Sequence, residues 1–351
     1  MRIIKKTFGT LLYTLAAVGL LSLPVSAAAE ENESSISSTV YASSAGFNTC
    51  FGDSLSDDCR AIYDALVWSY IDAGTGLSNG YTGETAISLE EWKYSYTVED
   101  PDKIYEGDSY LEQKEKVENT AAYAYWAFVH DYPECFWAGD LTVNFKSWIS
   151  ESDPTLLYIG KVTVVPEEQY NGWKEKCPEF NAAVLSAVDE INSMLESDSD
   201  EGILRAIHDY ICDRSDYDYA AASSFGTESC RYAHSAGGFF LEDNASIVCD
   251  GYSSAFKVLC DRFSIQCVLI AGTGRSDVHM WNAVYLDGGW YAVDVTWDDT
   301  SYSDAYFLVG SDTPTLSGET FSDIHTPDST RFSSNKAVSF VYPELESEAY
   351  G

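Results

Sequence analysis

The stretch His279-Met280-Trp281-Asn282-Ala283-Val284-Tyr285-Leu286-Asp287-Gly288-Gly289-Trp290-Tyr291-Ala292-Val293-Asp294 reads as two strands folded about a tight turn. Asp-Gly between apolar and aromatic runs is the strongest short hairpin signal in the chain. It predicts strands over His279–Leu286 and Gly289–Thr296. With Asp287 and Gly288 as the loop, Leu286 faces Gly289, Trp281 faces Asp294 and His279 faces Thr296. His279 and Trp281 share a face because strand side chains alternate. Asp294 then lies diagonally beside His279, about 7–8 Å away backbone to backbone and within side-chain reach. A slip of one residue would put the two on opposite faces. An acid in that place can orient an imidazole and stabilise its charged form.

Upstream, Cys249 stands where a loop enters a helix. Tyr252, Phe256, Leu259 and Phe263 recur at helical spacing and predict a helix over Cys249–Phe263. A thiol at a helix N-terminus feels the positive end of the macrodipole, which favours the thiolate. First-turn amides can donate to an oxyanion, and the small Gly251 is expected to leave room for a substrate. Position alone leaves open that Cys249 is half of a disulfide. His279 and Asp294, in hairpin register with each other, favour the nucleophile.

These residues resemble the transglutaminase-like superfamily. The run Ser246-Ile247-Val248-Cys249-Asp250-Gly251-Tyr252-Ser253-Ser254-Ala255-Phe256 is similar to its nucleophile segment. His279-Met280-Trp281-Asn282-Ala283-Val284 resembles its histidine strand, and Trp290 to Asp299 its aspartate strand. Ala206 to Ile211 and Ala233 to Gly237 look like the helix and loop before the cysteine in bacterial members. His130 to Trp137 (His-Asp-Tyr-Pro-Glu-Cys-Phe-Trp) resembles a motif in the N-terminal portion of secreted members. The resemblance covers about residues 200–310. It implies an α+β fold with a papain-like core, in which a nucleophile helix packs on an antiparallel sheet after a mainly helical N-terminal region. It also implies catalysis by Cys249, His279 and Asp294 through a thioester.

The remainder of the chain sets the context. Arg2, Lys5 and Lys6 precede an apolar run over Leu11–Leu23 and small residues at Val25–Ala29, the pattern of a signal peptide over 1–29 cleaved near Ala27–Ala29. The mature protein is therefore expected to be secreted or at the cell surface, with no membrane span. Residues 30–48, rich in Ser and Glu, read as a disordered linker. Residues 49–198 read as a helical region with a β-hairpin (Leu141–Ser147 and Leu156–Val165), and 199–345 as the catalytic core. Further helices are expected near Ala61–Ile71, Val117–His130, Glu179–Leu195 and Ile203–Asp213. Further strands are expected at Ile265–Ala271 and Ala305–Val309.

The 351 residues hold 56 acidic and 20 basic side chains, a net charge of −36, and loss of the basic signal segment makes the mature chain more acidic still. Such a surface repels nucleic acid and favours basic or cell-surface protein and peptide partners. Nine cysteines leave at least one unpaired within a monomer, and Cys249 is expected to be free. Cys260–Cys267 and Cys50–Cys59 are the candidate disulfides.

The expected activity is acyl transfer on peptide or protein amides, to an amine or to water. The alternative is a non-catalytic surface module on the same scaffold. Tyr232, His234, Tyr252 and Trp281 are candidates for the oxyanion site or the substrate wall. His208 is expected on an exposed helix face, and His325 lies beyond every motif. No cofactor and no metal ligand set is expected, and the Asp298–Asp304 run reads as a solvated acidic loop.

Overall fold

The computed structural model describes residues 16–17, 51–52, 55–79, 85–95, 108–149, 156–169, 171–223, 232–328 and 340–351. Of the signal segment only Ala16–Ala17 falls within them. The 30–48 linker, Cys50 and Cys230 lie outside the described residues, so the Cys50–Cys59 pairing does too.

The N-terminal part comprises β1 (Ala16–Ala17), α1 (Asp57–Tyr70), β2 (Thr85–Ser95), α2 (Asp108–Asp131), β3 (Ala138–Ile149) and β4 (Leu156–Glu168). The hairpin read from sequence is β3–β4, and β2 adds a third antiparallel strand on β4. The strand pattern of β2 went unread because charged residues (Glu90, Glu91, Lys93) interrupt its apolar alternation. Two of its partners show why the sheet is secure: Val162 and Val164 of β4 are fully buried, as is Val143 of β3.

The chain continues as α3 (Cys177–Met194), α4 (Asp200–Cys212), β5 (Ser215–Tyr217), α5 (Tyr219–Ser223), α6 (Ala236–Phe240), β6 (Ala245–Ile247), α7 (Cys249–Arg262), β7 (Cys267–Gly274), β8 (Asp277–Leu286), β9 (Gly289–Val293), α8 (Val295–Ser301), β10 (Phe307–Val309), α9 (Phe321–Ile324) and β11 (His325–Pro327). The second sheet has the order β10-β9-β8-β7-β11, and every neighbouring pair is antiparallel. α7 packs on β7 and β8, giving the α+β core the sequence implied. Tyr252, Phe256 and Leu259 of α7 are fully buried. Each contributes about 1.5–3 kcal/mol by leaving water.

The hairpin has the expected register: Leu286 pairs with Gly289 and Asn282 with Val293. Asp287 and Gly288 both take positive φ (50° and 97°), as a tight primed turn demands. The second strand is shorter than expected, however. β9 ends at Val293, and Asp294 caps α8 instead of pairing with Trp281. Its own Oδ1 accepts from Trp297 N at 3.1 Å. Local capping chemistry, Asp before Val-Thr-Trp-Asp, ends the strand there. The chain also continues past residue 345 into the core fold. Glu346 N bonds to Trp290 O and Tyr350 N to Leu308 O.

The His130–Trp137 segment joins the two parts of the chain. Asp131 accepts from Phe51 N, Gly52 N and Tyr63 OH at 3.2, 2.8 and 2.8 Å. On α7, Lys257 is buried and pairs with Asp261 at 2.9 and 3.1 Å, and its charge also favours ionised Asp131. Glu134 is buried beside these groups. Burial pushes its carboxyl up to about 7, against the opposing pull of Arg262. A carboxyl raised in the folded state adds stability below its ordinary value of 4.5 that is lost as pH rises through about 7. Glu134→Gln, which mimics the neutral acid, should therefore match wild type near pH 4.5. At pH 8 it should be the more stable by about 2–3 kcal/mol. Denaturant melts at the two pH values check this; an equal difference at both would contradict it.

Candidate active site

α7 begins at Cys249, because Val248 is extended (φ −115°, ψ −178°) and the chain turns helical at the next residue. The loop before it is held from two sides. Val248 N bonds to Ala233 O at 3.0 Å, and Asp218 N bonds to Ile247 O at 2.9 Å. Gly251 does not leave space for a substrate, as its sequence position suggested. A Cβ there would sit 2.5 Å from Ala233 O and 2.9 Å from Ile247 Cβ. The glycine is needed for the loop to close on the helix. Gly251→Ala should cost roughly 1–3 kcal/mol through forced backbone shifts and slow alkylation of Cys249. A thermal melt and a thiol-labelling rate test both.

Cys249 is half-buried and unbonded, and lies within hydrogen-bond reach of His279 on β8. His279 is buried, and its Nε2 lies 2.6 Å from Asp294 Oδ2. The three residues expected to act together are brought together. Burial opposes charge on His279, but the Asp294 carboxylate and the Cys249 side chain outweigh it and push the imidazole up to about 10. Asp294 is fully buried, which by itself would raise its pKa. The His279 charge and the hydrogen bonds from His279 and His325 instead hold it well below the ordinary carboxylate value. The arrangement lets the imidazole take the proton of the Cys249 sulfur, hold it against the carboxylate, and later give it to a leaving nitrogen.

Trp281 is buried behind His279, their rings 5.9 Å apart and 23° from parallel. It backs the histidine rather than lining a substrate wall. Tyr252 is fully buried and its hydroxyl donates to Asp299. Tyr232 packs on Trp173 (4.6 Å between centroids) and Phe136 (6.2 Å). His234 Nδ1 lies 3.0 Å from Asp250 Oδ2, and its Nε2 lies 3.4 Å from Ala221 O. That pins the loop to the start of α7. His234 supports the nucleophile's backbone, while Tyr232 and Tyr252 serve packing.

His208 is not exposed. It is buried, with Nδ1 2.9 Å from Asp209 and Nε2 3.2 Å from Asp298. Burial disfavours its charge, but the two carboxylates outweigh this and push it up to about 11. Asp298 is thus no member of a solvated loop; it also accepts from Tyr306 N at 2.9 Å. Cys260 and Cys267 are both buried and unbonded, their thiols within hydrogen-bond reach of each other.

Three further residues stand near the site, and two of them, Tyr217 and His325, lie outside every motif read from the sequence. Tyr217, on β5 opposite Ile247, lies close enough to Cys249 to feel its charge. The Trp297 ring lies 5.1 Å from that of His279 and 4.3 Å from that of His325. His325 Nε2 reaches Asp294 Oδ2 at 3.0 Å. The signal that could have found His325 was weak: a lone histidine between the short apolar Phe321–Ile324 and Pro327.

Residues 189–295 match a protein-family model described as the transglutaminase-like superfamily. The chain carries a transglutaminase-like domain. Kyphoscoliosis peptidase of Mus musculus is 36% identical over 143 residues, which cover 36% of this chain and 21% of that protein. The Homo sapiens protein of the same name is 36% identical over 126 residues, covering 32% and 18%. The chain thus spans about a fifth of the length of these relatives. Among solved structures, the periplasmic domain of TgpA from Pseudomonas aeruginosa aligns at 15% identity and a TM-score of 0.28, over 43% of this chain and 58% of that one. Cys249, His279 and Asp294 all fall within the matched transglutaminase-like span. Trp297 and His325 fall beyond its end.

Proposed function

We propose that the protein is an exported cysteine enzyme that cleaves or transfers peptide and protein amides through a thioester on Cys249. The observation that carries this is the Cys249–His279–Asp294 contact at the start of α7. The Cys249 sulfur attacks the amide carbonyl, and its proton passes to His279. The C–N bond then breaks as His279 returns that proton to the leaving nitrogen. Water or an amine attacks the thioester, loses a proton to His279, and frees the thiolate. Asp294 holds the imidazole throughout. A peptidase name on the curated relatives favours water as acceptor, while the superfamily match is compatible with an amine.

A shallow cavity of about 240 Å³ is lined by Arg275, Trp297, Thr300, Ser301 and Tyr306, and the ring of its Trp297 lies 5.1 Å from that of His279. Export rests on the sequence of residues 1–29. No helix among the described residues is long and apolar enough to cross a membrane.

The test is intact-mass measurement of the reduced mature protein mixed with a library of casein peptides, with and without a fluorescent primary amine, in ¹⁸O-water. A peptide adduct on Cys249 that resolves to ¹⁸O-labelled acid or to amine conjugate supports the proposal and selects the acceptor. A Cys249 that never forms an adduct, and that reacts with iodoacetamide only after denaturation, would assign the fold to a non-catalytic surface module instead.

A further inference from the structure

We propose that His325 is a positioning residue for this site: its Nε2–H donates to Asp294 Oδ2 and fixes the carboxylate on which His279 is aligned. The inference rests on the Cys249–His279–Asp294 reading. It begins from the donors around one carboxylate. Asp294 Oδ1 accepts from Trp297 N at 3.1 Å. Oδ2 takes two imidazoles, His279 Nε2 at 2.6 Å and His325 Nε2 at 3.0 Å. A fully buried carboxylate with donors on both oxygens cannot turn without stranding one of them.

The two imidazoles cannot play the same part. One carboxylate balances one imidazolium, and a second positive ring would stand 5.7 Å from the first in a buried pocket. His279 has Cys249 on its far side and takes the charge. His325 has rings instead: Phe321 stacks flat on it (3.9 Å, 8°), with Trp297 at 4.3 Å and Trp281 at 4.9 Å. The titratable groups facing it are Asp294, His279 and, further off, Tyr306 at 6.1 Å between centroids. Burial keeps it below the ordinary histidine value and hence neutral, a state in which Nε2 still carries its proton for Asp294.

The backbone fixes the ring as well. β11 pairs His325 with Gly274, and Arg275 N bonds to Ile324 O at 2.7 Å. At Gly272 a Cβ would come within 2.1 Å of Thr326 O, so β11 lies closer to β7 than any side chain there would permit.

Without this donor, Oδ2 has one partner in place of two. The carboxylate becomes more basic and holds the His279 proton harder. The His279 imidazolium then persists to higher pH, while the proton passes less readily to a leaving nitrogen.

The experiment is the pH profile of Cys249 alkylation by iodoacetamide, read by mass mapping, on the full mature chain. His325→Phe keeps the stack and removes the donor; His325→Gln removes the ring and keeps an N–H. The Phe variant should melt close to wild type while its alkaline limb, set by loss of the His279 proton, moves up by roughly half a unit to one unit. Its turnover, once a substrate is known, should fall roughly 10- to 100-fold with KM unchanged. The Gln variant should return the limb towards wild type despite a lower Tm. An unmoved limb in Phe would overturn the inference and leave His325 a packing residue.

Should Phe fail to fold, imidazole ¹⁵N NMR of wild type decides. A neutral Nε2–H ring at His325 from pH 6 to 8 supports the proposal, and a charged ring there overturns it. A wild-type Cys249 inert at every pH would sink the catalytic reading itself, and this inference with it.

Discussion

Cys249→Ala should abolish turnover, by roughly 10⁴-fold or more, and leave the fold standing. The two halves of that expectation have separate causes. Catalysis is lost because no other thiol among the described residues stands beside an imidazole that is itself paired with a buried acid in triad order. Cys212 comes within 3.9 Å of His208, but at the Nε2 that already faces Asp298 at 3.2 Å, and the acid on Nδ1 is the exposed Asp209. Stability is kept because Cys249 is half-buried at a helix start, where alanine is helix-compatible and creates little cavity. His279→Ala should cost nearly as much turnover. The double variant should be scarcely worse than either, since the residues act as one unit. Comparing kcat/KM and melting curves across the three proteins checks both halves. Turnover surviving in Cys249→Ala would mean the nucleophile is elsewhere.

The parts of this site that were legible in the sequence are those fixed by local chemistry. Asp287-Gly288 set the hairpin register, and the register put Asp294 near His279. The apolar spacing of Tyr252, Phe256 and Leu259 set the face of α7 and so the direction in which Cys249 enters the site. What escaped depended on contacts distant in sequence. His208 looked exposed because its helix neighbours are polar, yet its partner Asp298 is 90 residues away. His325 reaches Asp294 across 31 residues through β11, a strand of three residues too short to show a period. Gly251 was misread for the same reason: what fills the space beside it is the carbonyl of Ala233, which only the closed loop brings there.

Asp294→Ala should be the most destabilising change at the site, by roughly 3–5 kcal/mol near pH 6, because it removes one partner of a buried ion pair. It strands three donors at once: Trp297 N, His279 Nε2 and His325 Nε2. The pH dependence separates this loss from simple packing damage. Asp294 is held below its ordinary value of 3.8, so its contribution is present above about pH 4 and is lost as pH falls. His279 is raised from 6.5 to about 10, so its contribution is complete below 6.5 and is lost as pH rises through 10. The pair therefore stabilises the fold most between about pH 4 and 6.5. The gap between wild type and Asp294→Ala should be widest there and should narrow towards pH 10. Asp294→Asn keeps the shape and removes the charge. It should recover part of the stability through its amide oxygen while turnover stays roughly 10³- to 10⁴-fold down, since the imidazolium has lost its counter-charge. Denaturant titrations of the three proteins at pH 5, 7.5 and 9.5 measure the gap. A gap constant across that range would show that Asp294 holds the fold by packing alone, and would remove the ion pair from the argument for catalysis.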